Sequence, residues 1–474
     1  MGSHNHSIPI VLSPVDSIRN YVSSPEPSEV WLRLLIWSVI VVVVSVILQK
    51  SVDSSELSHL GETLAGSEPY IIRSGPFREL VISQPAHVHE FYRHDTKAHS
   101  KPPNFNLGKP FGCLMGNAVG IKYGEAWRRM RQYFDPEFAL HRIAQQIPCL
   151  SQEIHQWVDR IMVTPSVVIH AKRSFQFLTF RLLAVHLYGE AFSELLYERL
   201  LELNALHEII IRDMLLSKCP DSKLWNILPT AARRRLQAYI NQWRKFNQAI
   251  IGEARMRNLS CPIERIFRGV DQKKDMEEDE FLQTLDEILF TNVDVSARVL
   301  GTLFTHLSIR PSLQVLLRDE IQHWKHDPDL NLPKYMAQSD TLLNRMVMES
   351  MRHSPAFGFS MPERTSAPKI IGGYFIPPHT SVVIDTRRLN LEDVTWGPDG
   401  AEFRPERFSE MPKDKLRCGF MRFGAGAASG RCLGKYVADV VFKLTTMILV
   451  EQFSLGTRDT DGAGDIQVTR IEQF

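Results

Sequence analysis

Cys432 lies in the stretch FGAGAASGRCLGK, Phe423 to Lys435, which sets four glycines around one thiol just ahead of an apolar helical pattern. A thiolate at that point gains from the positive end of the helix dipole, and the flanking glycines let backbone N–H groups and a flat ligand approach the sulfur. Two phosphate readings fail on spacing. Gly424, Gly426 and Gly430 stand as G-x-G-x-x-x-G with no βαβ unit around them, which is not the dinucleotide fingerprint. A phosphate-cradling G-x-x-x-x-G-K-[ST] loop would need glycine where Ser429 stands and Ser or Thr where Tyr436 follows Lys435. On this stretch alone Cys432 is either a metal-ligating thiolate or a small buried apolar residue.

Three distant pairings add chemistry. Trp127 and Arg131 stand one helical turn apart, so an indole and a guanidinium project together as a clamp for a carboxylate. Glu349 and Arg352 pair an acid with a base three apart on a helix face, and FRPERF supplies Arg407 shortly before the cysteine loop. Inside a long apolar pattern, Thr291, Asn292, Asp294, Ser296 and Arg298 place polar groups where a central helix should be dry.

The elements that must position these residues follow from periodicity. YIIRSG and RELVISQP alternate apolar and polar residues and end in Gly or Pro, as a β-hairpin does. From His87 to Pro355 the period is mostly helical, with one continuous helix expected over Glu278 to Ile309. PKIIGGYFIP and TSVVIDT then read as short strands, and a last helix runs from about Lys435 to Phe453. The fold class is therefore α+β, predominantly helical, with a small β-rich subdomain.

Composition supports a globular body: 474 residues, 44% hydrophobic, 23% charged, and a formal charge of +1 that excludes a nucleic-acid scaffold. Six scattered cysteines without a CxxC pair exclude a disulfide framework and a zinc ribbon. VWLRLLIWSVIVVVVSVIL, Val30 to Leu48, is apolar but for Arg33. At 1.5 Å per residue it covers about 28 Å, close to a bilayer core, so one N-terminal transmembrane helix is expected. The domain layout is then a flexible arm over 1–29, the anchor over 30–48, a linker over 49–69 and a catalytic domain over 70–474. A few residues of a terminal hairpin are expected beyond Phe474.

In this order, W-x-x-x-R, a mid-helix acid, E-x-x-R, P-E-R-F and F-G-x-G…C-x-G, the chain resembles the cytochrome P-450 family of haem-thiolate monooxygenases, over nearly all of its length after the anchor. The resemblance implies haem (iron protoporphyrin IX) as cofactor, with Cys432 as the thiolate ligand of its iron. It implies that Trp127, Arg131 and Arg364 hold the haem propionates, and that Phe423 and Gly426 shape the loop. Glu349, Arg352 and Arg407 become a structural ion cluster. Phe357, Phe359 and Met361 join the central helix in walling the substrate space. It further implies oxidation of a lipophilic small molecule, with electrons from NADPH through a separate flavoprotein reductase. Arg128, Arg129, Lys413, Lys415, Arg417, Arg422, Arg431 and Lys435 would form the basic face on which an acidic reductase docks. The anchor points to the endoplasmic reticulum membrane, single-pass, with a cytosolic catalytic domain. The overall look resembles fungal members that tailor secondary metabolites, and indole alkaloids or cyclic dipeptides are the substrate expectation. An oxidative coupling enzyme, or a reductase-independent isomerase or dehydratase, stays open beside the monooxygenase.

Two positions depart from the family pattern. The usual loop, F-G-x-G-x-R-x-C-x-G, is here two residues longer, with Ala428 in the arginine slot and Arg431 directly before Cys432. Arg431 is left between two roles, a propionate contact and a partner contact. In the central helix, where the family shows [AG]-G-x-[DE]-T-[TS], Asp294 keeps the acid but Val295 replaces the alcohol. Proton delivery for dioxygen activation is then expected of Asp294 with Ser296, or of a group on the substrate.

Overall fold

The computed structural model describes residues 54–74, 77–94, 96–102, 108–215, 230–426, 431–457 and 464–471, and the backbone of Ile10–Ser13. The expected anchor, Val30 to Leu48, lies outside them. Among the described residues no helix is long and apolar enough to cross a membrane.

In chain order, β1 (Ile10–Ser13) precedes α1 (Ser54–Ala65), β2 (Tyr70–Ser74), β3 (Phe77–Ile82), α2 (Pro85–Tyr92), α3 (Gly108–Met115), α4 (Gly124–Phe134) and α5 (Leu140–Ile161). Then come β4 (Ser166–His170), α6 (Ala171–Tyr188), α7 (Glu194–Leu215), α8 (Ala231–Arg257), α9 (Pro262–Lys273), α10 (Glu278–Phe290) and α11 (Val293–Ser308). The last part holds α12 (Pro311–Lys325), α13 (Leu332–Ala337), α14 (Leu342–His353), the short strands β5 (Glu363–Arg364), β6 (Lys369–Ile371), β7 (Tyr374–Ile376) and β8 (Ser381–Ile384), and α15 (Thr386–Leu391). After α16 (Arg407–Glu410) and α17 (Lys413–Gly419) the chain ends with α18 (Lys435–Gln452), β9 (Phe453–Thr457) and β10 (Asp465–Arg470).

The core is a helix packing problem solved by residue pattern. α5 is one-sided, burying Ile143, Ile147, Leu150 and Ile154 at helical spacing. α6 and α18 are apolar nearly all round and therefore run through the interior, with α11 laid along α6 and α18 against α5. Lys443 inside α18 is tolerated because Asp439 pairs with it at 2.9 Å and the Met336 carbonyl accepts its proton at 2.9 Å.

The β region is a five-stranded sheet in the order β1-β2-β3-β8-β5, with β3 and β8 parallel. The expected hairpin is β2 paired with β3, Tyr70 opposite Val81. The antiparallel pairing of β5 with β8 sets Arg364 opposite Ser381. Arg364 also exchanges backbone hydrogen bonds with Ser100, at 2.7 and 3.2 Å, which brings the segment after α2 to the same edge.

Three expectations need correction. Within the expected linker, Ser54–Ala65 is helix α1, because Leu57, Ser58 and Gly61 share a face and are buried, Gly61 closely against Tyr70. Within the expected flexible arm, Ile10–Ser13 pairs antiparallel with Ile71–Ser74. The single helix expected over Glu278 to Ile309 is two, α10 and α11, parted at Thr291 and Asn292.

Candidate functional site

The cysteine loop is closed by its own backbone. The Cys432 N–H donates to the Phe423 carbonyl at 2.9 Å, so both ends of the lengthened loop are fixed to each other. Gly424 (φ 74°) and Gly426 (φ 93°) take left-handed conformations that side chains resist. A Cβ at Gly426 would only touch Tyr92 and the Glu363 carboxylate, at 3.4 and 3.5 Å, so it is the backbone conformation that calls for glycine there. Ala427 to Gly430 lie outside the described residues. Cys432 precedes α18 by one short turn, and its side chain is exposed.

Protein nevertheless surrounds that thiol. Burial pushes the Cys432 pKa up, the Gly434 N–H and the charges of Arg131 and Lys435 pull it down, and Glu287 pushes it up again. A group that is both accessible and desolvated faces an enclosed space rather than bulk water. That is the setting a ligating thiolate needs: open to its ligand, with donors behind the sulfur.

Around this space the structure gathers residues far apart in sequence. On α4 the Arg131 guanidinium lies 5.0 Å from the Trp127 ring centroid. Its Nη1 donates to the Arg431 carbonyl at 2.8 Å and its Nε to Asp135, so α4 is fastened to the cysteine loop. It is the backbone of Arg431, not its exposed side chain, that makes this contact. Arg364 is half-buried, and its Nε has no hydrogen-bond partner among the described residues. A buried, unanswered guanidinium nitrogen fits an anionic group such as a cofactor carboxylate.

Sequence reasoning missed two neighbours of Arg364. Lys101 is buried, its Nζ donates to the Gly120 carbonyl, and Glu287 and Glu363 support its charge while burial pushes its pKa down. His99 Nδ1 lies 3.3 Å from Glu363, which also accepts from Tyr92 at 3.0 Å. The pairing of Ser100 with Arg364 is what brings them here, and no local motif announces it.

The break between α10 and α11 is built by side chains. Thr291 Oγ1 and Asn292 Nδ2 both donate to the Glu287 carbonyl, Asn292 at 3.2 Å, and Asn292 Nδ2 also reaches the Ile288 carbonyl at 3.0 Å. They occupy carbonyls that a continuous helix would give to backbone N–H groups. Beyond the break Asp294 is exposed and accepts from Gln176 of α6 at 3.2 Å. Ser296 is half-buried, and its N–H donates to the Asn292 carbonyl at 3.1 Å. Asp294 and Ser296 share no hydrogen bond among the described residues.

The ion cluster is complete and dry. Glu349 accepts from Arg352 at 2.8 and 2.9 Å, from Arg407 at 3.0 Å and from the Arg404 N–H at 2.9 Å. Arg352 and Arg407 donate onward to the carbonyls of Asn390, Trp396, Asp399 and Glu402. Despite burial, these donors hold the Glu349 carboxyl down at about 2.

Of the expected basic face, Arg129 is spoken for: it donates to the Asp275 carbonyl and pairs with Glu280 at 2.7 Å. Arg422 is half-buried over the Phe423 ring. Arg128, Lys413, Lys415, Arg417, Arg431 and Lys435 are exposed. A separate, open apolar cavity of about 570 Å³, lined by Leu140, Ala144, Ile147, Met336, Tyr436 and Val440 among others, includes neither Cys432 nor Glu287.

A helical body that encloses an accessible cysteine at the start of an interior helix, braced by a buried Glu-Arg-Arg cluster, defines a thiolate-ligand fold. The chain belongs to the cytochrome P450 family, whose match spans residues 67–470 and whose cofactor is haem; it is accordingly an oxidoreductase of the monooxygenase type. It is 52% identical over 431 residues to the cytochrome P450 monooxygenase opdB of Penicillium oxalicum, covering 90% of this chain and 86% of that protein. It is 45% identical to apdB of Emericella nidulans (85% and 82% covered) and 40% identical to lepD of Aspergillus flavus (84% and 80%), both also named cytochrome P450 monooxygenases. Among solved structures it resembles the cytochrome P450 CYP102L1, with TM-score 0.72 at 17% identity, over 89% of this chain and 98% of that one. A zebra fish cytochrome P450 crystallised with progesterone gives a TM-score of 0.69 at 17% identity, over 89% and 100%.

Proposed function

We propose that this chain is a membrane-tethered monooxygenase of fungal secondary metabolism, acting on a lipophilic small molecule with electrons from a separate NADPH-dependent flavoprotein reductase. The observation that carries this reading is the accessible Cys432, held at the N-terminus of α18 by its bond to the Phe423 carbonyl. Cys432 would hold the iron, and Trp127, Arg131 and Arg364 would take the propionates, with Phe423 and Gly426 shaping the loop. Bound there, haem supplies the activation of dioxygen. The chain's own work is to orient substrate, exclude water and deliver protons, the last assigned to Asp294 and Ser296. The fungal relatives support the metabolic setting, and an indole alkaloid or cyclic dipeptide is the substrate class proposed.

The exposed cations Arg128, Lys413, Lys415, Arg417, Arg431 and Lys435 support docking of an acidic reductase, with the side chain of Arg431 turned to that role. The run Val30 to Leu48 supports tethering to the endoplasmic reticulum with residues 70–474 as the cytosolic catalytic domain. A full span there would put Ile10–Ser13 across the bilayer from β2 and so break their pairing. A glycosylation site engineered ahead of Val30 distinguishes the two: modification in microsomes means a span, its absence means that β1 stays with the sheet.

One feature favours a second reading. Val295 has no hydroxyl and Asp294 turns to Gln176, which suits oxidative coupling, where substrate groups share the proton traffic. The test of the main proposal is the carbon monoxide difference spectrum of the reduced protein beside that of Cys432→Ser. A red-shifted Soret band that the variant loses supports thiolate ligation; a band indifferent to the substitution refutes it. NADPH consumption with added reductase separates both readings from a reductase-independent isomerase.

A further inference from the structure

Where α1 lies against α15, three side chains come together that none of the roles above uses. α1 carries His59 and Glu62 about one turn apart, and Glu392 caps the C-terminus of α15. His59 Nδ1 stands 3.8 Å from Glu62 Oε2, and one donor atom from each of the three residues lies within 4.8 Å of the other two. All three are exposed, and no other His, Cys, Asp and Glu side chains among the described residues gather three donors so closely.

Other residues hold the two elements in register. Leu57, Ser58 and Gly61 bury one face of α1. From α15, Arg388 Nη2 donates to the Gly66 carbonyl at 2.6 Å and Arg387 Nη1 to Ser58 Oγ at 3.4 Å. α15 is also tied to the ion cluster, since the Asn390 carbonyl accepts from Arg352 at 3.0 Å. The backbones that present the three donors are therefore fixed, and only exposed side-chain torsions remain to be set.

The charges at this point do not balance. Glu392 Oε1 pairs with Arg387 at 2.6 Å, but Glu62 has no basic partner among the described residues apart from the His59 ring. Two carboxylates and one guanidinium leave a net negative charge that a neutral imidazole does not offset. An imidazole nitrogen beside carboxylate oxygens is a donor set for zinc, whereas magnesium and calcium take oxygen alone. Ligands on a tetrahedral zinc stand about 3.4 Å apart, so a shift of about 1 Å or less in each exposed side chain closes the group. Arg387 then orients the Glu392 carboxylate from outside, as hydrogen-bond partners of metal ligands do.

We propose that His59, Glu62 and Glu392 form a zinc site, three protein donors with water as the fourth, that clamps α1 to α15. The clamp fastens α1 to the element that also backs the buried ion cluster.

The test is amide hydrogen exchange across Ser54–Ala65 in the full-length haem-loaded protein, with zinc chloride or magnesium chloride added in a non-chelating buffer. An ion that binds only the closed arrangement suppresses its opening, so saturating zinc should slow exchange in α1 about tenfold or more, and magnesium should not. His59→Ala and Glu392→Gln should each lose most of that slowing. Exchange in α14 without metal checks that the variants keep the fold; if either does not, Glu62→Gln decides by the same criterion. Zinc taken up only by His4 and His6 or by Cys432 would leave α1 exchange unchanged. That result, slowing undiminished in His59→Ala, or an equal effect of magnesium overturns the proposal.

Discussion

Two glutamates on interior helices of this protein have opposite fates. Glu349 on α14 is wholly buried, meets two guanidinium groups, the His353 ring at 3.4 Å and a backbone N–H, and keeps its charge with its pKa at about 2. Glu287 on α10 meets one backbone N–H and the charge of Lys101, and burial wins, pushing its pKa up. Burial alone therefore says nothing about a carboxylate's role. The number of donors around it separates an acid held ionised, with its acceptor capacity taken up, from one that burial drives towards its neutral form.

The comparison is broken most directly by removing each charge. Glu349→Gln should cost about 3 to 5 kcal/mol, since two buried arginines lose their counter-ion, and the yield of folded haem protein should fall. Glu287→Gln should cost no more than about 1 kcal/mol and leave the carbon monoxide spectrum intact. Thermal unfolding of the two variants in parallel checks both figures. Equal losses would mean that the loop contact of Glu287 is as structural as the ion cluster.

Acid titration sharpens the same contrast. The folded pKa of Glu349 lies below its unfolded value, so its stabilisation is full above about pH 4.5 and is lost as pH falls towards 2, on the order of 3 kcal/mol in all. Glu287 has the opposite sign: its folded pKa is raised, so its contribution improves as pH falls through that raised value towards the ordinary carboxylate range. Chemical denaturation between pH 3 and 7 should show a weaker acid loss in Glu349→Gln and a steeper one in Glu287→Gln.

Smaller effects are expected at the surface and in the broken helix. Reversing Lys415 and Arg417 to Glu should weaken reductase binding about tenfold at low salt and much less at high salt, measured as the reductase dependence of haem reduction under carbon monoxide. Arg129→Glu should act on stability instead, because Glu280 and the Asp275 carbonyl already hold that side chain. The smallest change, a few-fold shift in product formed per NADPH, is expected from Val295→Thr (up) and Ser296→Ala (down). No shift in either would remove Ser296 from proton delivery.

What could be read from the sequence was what lies close in sequence or has a fixed spacing. Trp127 and Arg131 stack because they are one turn apart, and Glu349 meets Arg352 for the same reason. Arg407 was legible from its own motif. Lys101 was not, because only the backbone pairing of Ser100 with Arg364 carries it into the site. The orientation of Asp294 was hidden by the break at Thr291 and Asn292, which resets the helix before the acid is reached. A free basic face was overread at Arg129, since its acidic partner on α10 comes into reach only through tertiary packing. α1 was missed because a single buried face of Leu57, Ser58 and Gly61 is a faint pattern within a polar stretch.

The bond from the Cys432 N–H to the Phe423 carbonyl has a consequence for how such chains are found and how they diverge. Because the two ends of the loop are tied to each other, residues can be gained or lost between them without moving the thiol. Loop length can then change while the geometry at its two ends is kept. A search pattern that fixes the distance from phenylalanine to cysteine would pass this chain over, whereas one anchored separately on F-G-x-G and C-x-G would retain it.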